Sequence, residues 1–254
     1  MATCETEKLV LLNRTEHTLT LANIKKVKEQ FSAIIKSKDL KDISLDLVEK
    51  VLDNEISNEI LKEIPILKSL VAARNIYTSY SDRIFIKKAM NVLMEIGDIN
   101  WKERVELASD LDDEDESGAE KILMAIDRLE TTKKCKVYGR LCRLKALGKL
   151  KYTEDFLRLT KLIQDSYLDD LILVTDFEKG KKKEIHEGDY YPIISLGLLY
   201  QEPSEQKPIQ RNHEQYNEWE PEFKGGEIEF NYRLSDLGDT LLEHYYDLFP
   251  EDKK

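Results

Sequence analysis

The stretch Glu227-Ile228-Glu229-Phe230-Asn231-Tyr232-Arg233-Leu234 constrains this chain more than any other. In an extended backbone Ile228, Phe230, Tyr232 and Leu234 fall on one side, and Glu227, Glu229, Asn231 and Arg233 on the other. That alternation has the period of a half-buried strand and does not fit a helix. Gly225-Gly226 marks a turn before it. Ser235 is placed to accept backbone N–H groups as an N-cap, and Asp236 and Asp239 suit the positive first turn of a helix. Leu237, Leu241, Leu242, Tyr245 and Leu248 then recur at helical spacing to about Phe249, where Pro250 and a charged tail end the run. Upstream, Leu198-Leu199-Tyr200-Gln201-Glu202 can be the antiparallel partner.

The order is a helix end, Ser195-Leu196-Gly197-Leu198-Leu199, a strand, a loop, a strand ending in Tyr232-Arg233-Leu234-Ser235, and a helix. It resembles the second half of a winged-helix domain over roughly 185–249. The loop at 203–226, with Pro203, Pro208 and Pro221, is long for a wing. The resemblance implies binding to DNA or to protein, and local charge discriminates between them. A DNA-recognition helix needs Arg, Lys, Asn or Gln. The matching segment, Glu187-Gly188-Asp189-Tyr190-Tyr191-Pro192-Ile193-Ile194-Ser195, has two acids, no base and a central proline. Lys179, Lys181, Lys182 and Lys183 lie nearby, but such a run usually faces water. A formal net charge of -11 also opposes nonspecific binding to nucleic acid. A protein partner is therefore expected, with Tyr190, Tyr191, Tyr216 and Trp219 as candidate contacts.

The rest reads as helix. With 41% hydrophobic and 35% charged residues, the chain suits a soluble, mostly helical protein rather than a disordered one. After a loosely ordered 1–19, amphipathic stripes predict helices over 20–37, 44–53, 54–80 and 82–96, the last ended by Gly97. Asn100 or a neighbour starts the next, with Trp101, Val105 and Leu107 turned inward. Three more follow at Ala119–Thr131, Lys133–Leu147 and Thr153–Tyr167, with Gly148 separating the last two. Ile64-Pro65-Ile66-Leu67-Lys68-Ser69-Leu70-Val71-Ala72-Ala73 is too short for a membrane span and carries Lys68, so it reads as a core helix.

Two charge runs sit side by side. Asp110-Leu111-Asp112-Asp113-Glu114-Asp115-Glu116-Ser117-Gly118 invites a calcium reading. An EF-hand loop, however, needs glycine at its sixth position and glutamate at its twelfth, where this chain has Asp115 and Lys121. The acids read better as first-turn charges for a helix opened by a Ser117/Glu120 capping box. Lys133, Lys134, Lys136, Arg140, Arg143 and Lys145 then form the candidate surface for a polyanion, either anionic lipid or phosphate. Such charges more often face water or pair with acids on a neighbouring helix.

The catalogue of catalytic patterns is empty. His17, His186, His213 and His244 are far apart and show no metalloprotease spacing. There is no GxGxxG, no phosphate-binding GxxxxGK[ST] and no GxSxG elbow. Cys4, Cys135 and Cys142 make an odd set without a CxxC pair, which suits reduced thiols in a cytoplasm; Cys135 and Cys142 read as buried. No catalytic, cofactor or metal residue is assigned.

Glu63-Ile64-Pro65-Ile66-Leu67-Lys68-Ser69-Leu70, Asp82-Arg83-Ile84-Phe85-Ile86-Lys87-Lys88 and Gly139-Arg140-Leu141 are similar to a set of bacterial helical proteins, some grouped near the abortive-infection alpha family. This resemblance covers about 60–175. It implies a bacterial cytoplasmic protein linked to phage defence, and no catalytic residues. The expected architecture is mainly α: a helical domain over 20–178 and a winged-helix-like unit over 179–254 that contains one β-hairpin. The expected function is that of a non-enzymatic interaction or regulatory protein that binds a protein partner. A defence effector touching a membrane surface peripherally, without a transmembrane segment, and a DNA-binding regulator are the alternatives.

Overall fold

The computed structural model describes residues 29, 31–38, 40, 80–203 and 230–253. The expected helices over 44–53 and 54–80, the 64–73 run, Cys4, His17, His213, Tyr216, Trp219 and the 225–226 turn lie outside them. The chain divides into two compact units, Met1–Asp165 with Tyr246–Lys254, and Ser166–Tyr245. The protein is mainly helical, with one small antiparallel sheet near its C-terminus.

In the first unit, α1 spans Tyr80–Gly97, α2 Trp101–Asp110, α3 Gly118–Arg128, α4 Thr132–Ala146 and α5 Thr153–Asp165. A short helical segment over 31–35 precedes them. Among the described helices, α1 and α4 pack most closely. Their crossing is set by Gly139, where an added Cβ would lie 2.8 Å from Glu95 Cβ and 3.1 Å from Val92 Cα. Phe85, Ile86, Ala89, Val92, Leu93 and Ile96 of α1 are buried, as their stripe predicts, while Ile84 is exposed. From α4, Val137, Leu141 and Leu144 are buried and Leu147 is exposed.

Helix ends follow local chemistry. Asn100 caps α2: its Oδ1 accepts from Lys102 N–H at 3.1 Å, and Glu103 accepts from Asn100 N–H, completing a capping box. Ser117 caps α3 by accepting from Glu120 N–H at 3.3 Å, and Gly118 N–H donates to Asp112 Oδ1. Helix α3 stops at Arg128 rather than Thr131, because Thr131 turns extended and caps α4 by accepting from Lys134 N–H. Gly148, with φ +70°, ends α4: its N–H donates to Lys145 O and Lys149 N–H donates to Leu144 O. This paired closure needs a left-handed residue.

The inward face of α2 differs from the expected one. Trp101 is exposed and Val105 half-buried, whereas Arg104, Leu107 and Ala108 are buried. A periodicity count places a tryptophan inside and an arginine outside. Here a ring of carbonyls gives the arginine a reason to be inside, and Lys38 Nζ lies 5.0 Å from the Trp101 ring centroid.

In the second unit, a 3-10 helix over Leu168–Asp176 leads to β1 (Lys183–Glu184), α6 (Glu187–Ser195), β2 (Leu199–Pro203) and β3 (Phe230–Leu234). Helix α7 (Asp236–Leu248) begins in this unit and, from Tyr246 onward, belongs to the first. The strand order is β1-β3-β2. The expected hairpin pair is present as β2 and β3, with Leu199 opposite Leu234 and Glu202 opposite Asn231. The sheet has a third strand that the sequence reading lacked: Lys183 lies opposite Tyr232 and Glu184 opposite Asn231. Two residues are too few to show a period. In β3, Tyr232 and Leu234 are buried, while Phe230 is 36% exposed.

Ser235 joins the parts of this unit. Its Oγ accepts from Gly238 N–H at 3.1 Å, capping α7, and donates to Gly197 O at 2.8 Å. Gly197, with φ +70°, follows α6, and Leu198 N–H closes back to Ile193 O.

Candidate functional site

Helix α6 is short and carries Pro192 at its sixth position, yet it holds a defined orientation. Ile193 is fully buried. The Tyr190 ring meets Phe177 edge-on at 5.4 Å, and its hydroxyl donates to Asp176 Oδ2 at 2.9 Å. Lys183 Nζ donates to Asp176 O at 3.2 Å and to Tyr190 Oη at 3.3 Å. The same ammonium lies 5.2 Å from the Phe177 ring centroid and 5.3 Å from that of Tyr190. A buried side and a polar clamp therefore hold α6. Tyr190 is part of that clamp. Tyr191, one residue on, is 64% exposed. The two tyrosines read together from sequence thus have different jobs: one anchors and one is displayed. The same unit exposes Tyr167, Ile172, Tyr200 and Phe230. None of these four was a candidate contact in the sequence, and Phe230 was expected on the inward face of its strand, because side-chain exposure is a tertiary property.

The lysine run of this unit is occupied locally. Lys179 pairs with Glu243 at 3.6 Å, Lys181 with Glu178, and Lys182 with Glu202 at 2.6 Å. Glu202 also receives Arg233 Nε at 2.8 Å, and the Arg233 guanidinium lies 4.9 Å from the Tyr200 ring centroid. Hydrogen bonds from Lys182 and then Arg233 hold the Glu202 carboxyl below the usual range. On the sheet Glu202 therefore holds Lys182 and Arg233 together, while the Lys179 and Lys181 pairs are exposed and weak. The α6 segment itself presents Glu187 and Asp189 in its first turn.

The candidate polyanion residues are sorted by α4 into two stripes. Lys133, Lys136, Arg140 and Arg143 recur at spacings of three and four and share one side. Lys134 and Lys145 lie on the other side and are buried. Lys134 Nζ donates to Gln164 O at 2.7 Å, and Lys145 Nζ donates to Lys151 O at 3.3 Å, with Asp110 also 3.3 Å away. These two lysines snorkel through the core edge to carbonyls. Arg143 is bidentate to Asp98 and donates to Glu95 O at 3.2 Å. Arg140 donates to Leu248 O at 2.8 Å, pairs with Glu251 at 3.0 Å and lies 3.4 Å from Glu95 Oε1. Burial pushes the Glu95 carboxyl up, opposed first by Arg140 and then by Lys136 and Arg143. The six bases therefore do not form one open surface. Of the six, Lys133 and Lys136 are exposed, and Arg140 and Arg143 are half-buried.

The acidic run folds on itself. Asp113 Oδ1 accepts from Asp115 N–H at 2.9 Å and from Glu116 N–H at 2.7 Å, and its carboxylate pairs with Lys121. The Lys121 hydrogen bond, followed by those two amides, takes its pKa down from 3.8 to about 2. The linked stability is present above pH 3.8 and is lost as pH falls from 3.8 towards 2. Asp113→Asn should therefore flatten the acid limb of a melting-temperature profile across that window. An unchanged limb would separate the loop from acid unfolding. Among the described residues no group of three His, Cys, Asp or Glu is placed to hold a metal ion. Nor is any described helix long and apolar enough to cross a membrane.

Cys135 and Cys142 are fully buried, and burial pushes both thiols up to about 12. Thiolate is the reactive form. Native protein at pH 8 should leave both peptides unalkylated by iodoacetamide, and denaturant should expose both together. Rapid native labelling of either would contradict the packing of α4.

Comparison with protein-family models, with curated proteins and with solved structures finds no match.

Proposed function

We propose that the chain is a non-enzymatic interaction protein that binds a protein partner through the aromatic surface of its second unit, on a winged-helix-like frame. The observation that carries this reading is Tyr191. It is 64% exposed, on a helix whose neighbouring residues are fixed by Ile193 and the Tyr190–Asp176–Lys183 clamp. A large ring held out on a fixed support loses little side-chain entropy on binding, and tyrosine is enriched at interface centres. The helix–strand–strand–helix order and the antiparallel pairing of Leu199–Pro203 with Phe230–Leu234 support the winged-helix-like frame. The acids in the first turn of α6 and the net charge of -11 favour protein over nucleic acid as the occupant.

The experiment is a pull-down from the native host with wild-type protein and with Tyr191→Ala. A hot-spot aromatic is worth about 2 kcal/mol or more, or roughly thirtyfold in affinity. A stoichiometric protein retained by wild type and lost in the variant is the expected result. Equal recovery by both would remove Tyr191 from the interface. Nucleic acid as the sole eluted species would overturn the proposal.

A further inference from the structure

We infer that the C-terminal turn is an internal acidic strap over the basic stripe of α4, and that the stripe takes an acidic peptide segment when the strap is displaced. From Thr131 to Thr153 the chain carries eight bases and no acid, within a protein of net charge -11. Against this segment lie the end of α7 and the 3-10 turn Pro250–Asp252. Lys149 pairs with Asp247 at 2.8 Å, and Arg140 takes both Leu248 O and the Glu251 carboxylate. Glu95 of α1 also lies 3.4 Å from Arg140, and beside it the strap offers the guanidinium one carbonyl and one carboxylate of a peptide. That chemistry favours a carboxylate-bearing peptide over a phosphate chain as the competing ligand.

The strap has a fixed root and a replaceable tip. Leu248 and Phe249 are buried, so the root belongs to the core. Asp247, Lys149 and Glu251 have side chains 46%, 49% and 49% exposed, so their pairs are screened and weak. Lys133 and Lys136 continue the stripe beyond Arg140 and are exposed. An incoming acidic segment would reach those two exposed lysines at the outer end of the stripe and compete with Glu251 for Arg140. Tethering raises the effective concentration of the strap, so the unmodified protein should bind such a peptide only weakly. The inference stands on the first unit alone and does not depend on Tyr191.

The test is fluorescence polarisation with labelled decaglutamate at low salt. Three proteins are compared: wild type, Asp247→Asn with Glu251→Gln, and a charge-matched control, Glu114→Gln with Asp115→Asn, in the exposed acidic loop. All buried residues are kept, and equal melting temperatures check folding. The strap variant should bind about fivefold tighter than wild type, the scale of releasing two weak exposed pairs, and the control should not. Lys133→Gln with Lys136→Gln, added to the strap variant, should return binding to the wild-type level. Equal tightening in strap variant and control would reduce the effect to net charge and overturn the inference. So would failure of the strap variant to bind more tightly. Tighter binding of a phosphate chain than of decaglutamate would overturn the ligand assignment.

Discussion

Arg104→Ala should lower unfolding stability by about 3–5 kcal/mol, the scale for unpairing several buried carbonyls and opening a cavity. Arg104 is 1% exposed, and the four partners that the structure gives it are all backbone carbonyls. Nε donates to Ile35 O at 3.0 Å, Nη1 to Gly97 O at 3.3 Å and to Ile99 O, and Nη2 to Ser37 O at 2.5 Å. Those oxygens end two helical segments, 31–35 and α1, where the helix dipole is negative. One guanidinium thus closes two C-termini with no carboxylate among those partners. Burial alone lowers its pKa, and the guanidinium stays charged. Alanine would leave the four carbonyls short of donors and open a cavity beneath α2. Lysine should recover little, because a single ammonium cannot span donors set in a planar fork. Urea unfolding measures the loss. Native-state hydrogen exchange should show the 31–37 and 97–104 amides losing protection together. A loss below about 1 kcal/mol would mean that water substitutes for the guanidinium, which a buried site does not allow.

Gly238→Ala should cost about 2–3 kcal/mol, within the range for overpacking a close-packed core. A Cβ there would lie 2.3 Å from Leu198 O and 3.0 Å from Leu234 Cδ2. The carbonyl cannot swing away easily, because it accepts Ser235 N–H at 2.9 Å. The first turn of α7 therefore rests on the backbone after α6, and only glycine lets it approach. The strain falls within Ser166–Tyr245, so near-ultraviolet signals from Tyr232 and Tyr190 should melt earlier than those of the first unit. Unchanged melting would show that α7 does not press on Leu198.

How much of this the sequence showed depended on the range of the interaction. Tyr232 and Leu234 were legible as strand interior because alternation is local, and the Ser235 cap was legible for the same reason. Asn100, Ser117, Gly148 and Gly197 acted where cap chemistry places them. Arg104 was not legible, since its partners are up to 69 residues away. The same distance hid the sorting of the α4 bases: Arg140 finds Glu251 across 111 residues, while Lys134 and Lys145 reach carbonyls behind their own helix. Tyr190 and Tyr191 were equal in sequence. Only packing against Phe177 and Asp176 separates an anchor from a displayed ring.

The measurement closest to the central claim is photocrosslinking in the native host, with a benzoylphenylalanine placed at position 191 or, for comparison, at position 114. The account predicts one discrete protein adduct from position 191 and none from position 114. No adduct from position 191, or the same adducts from both positions, would contradict a protein-binding surface at α6.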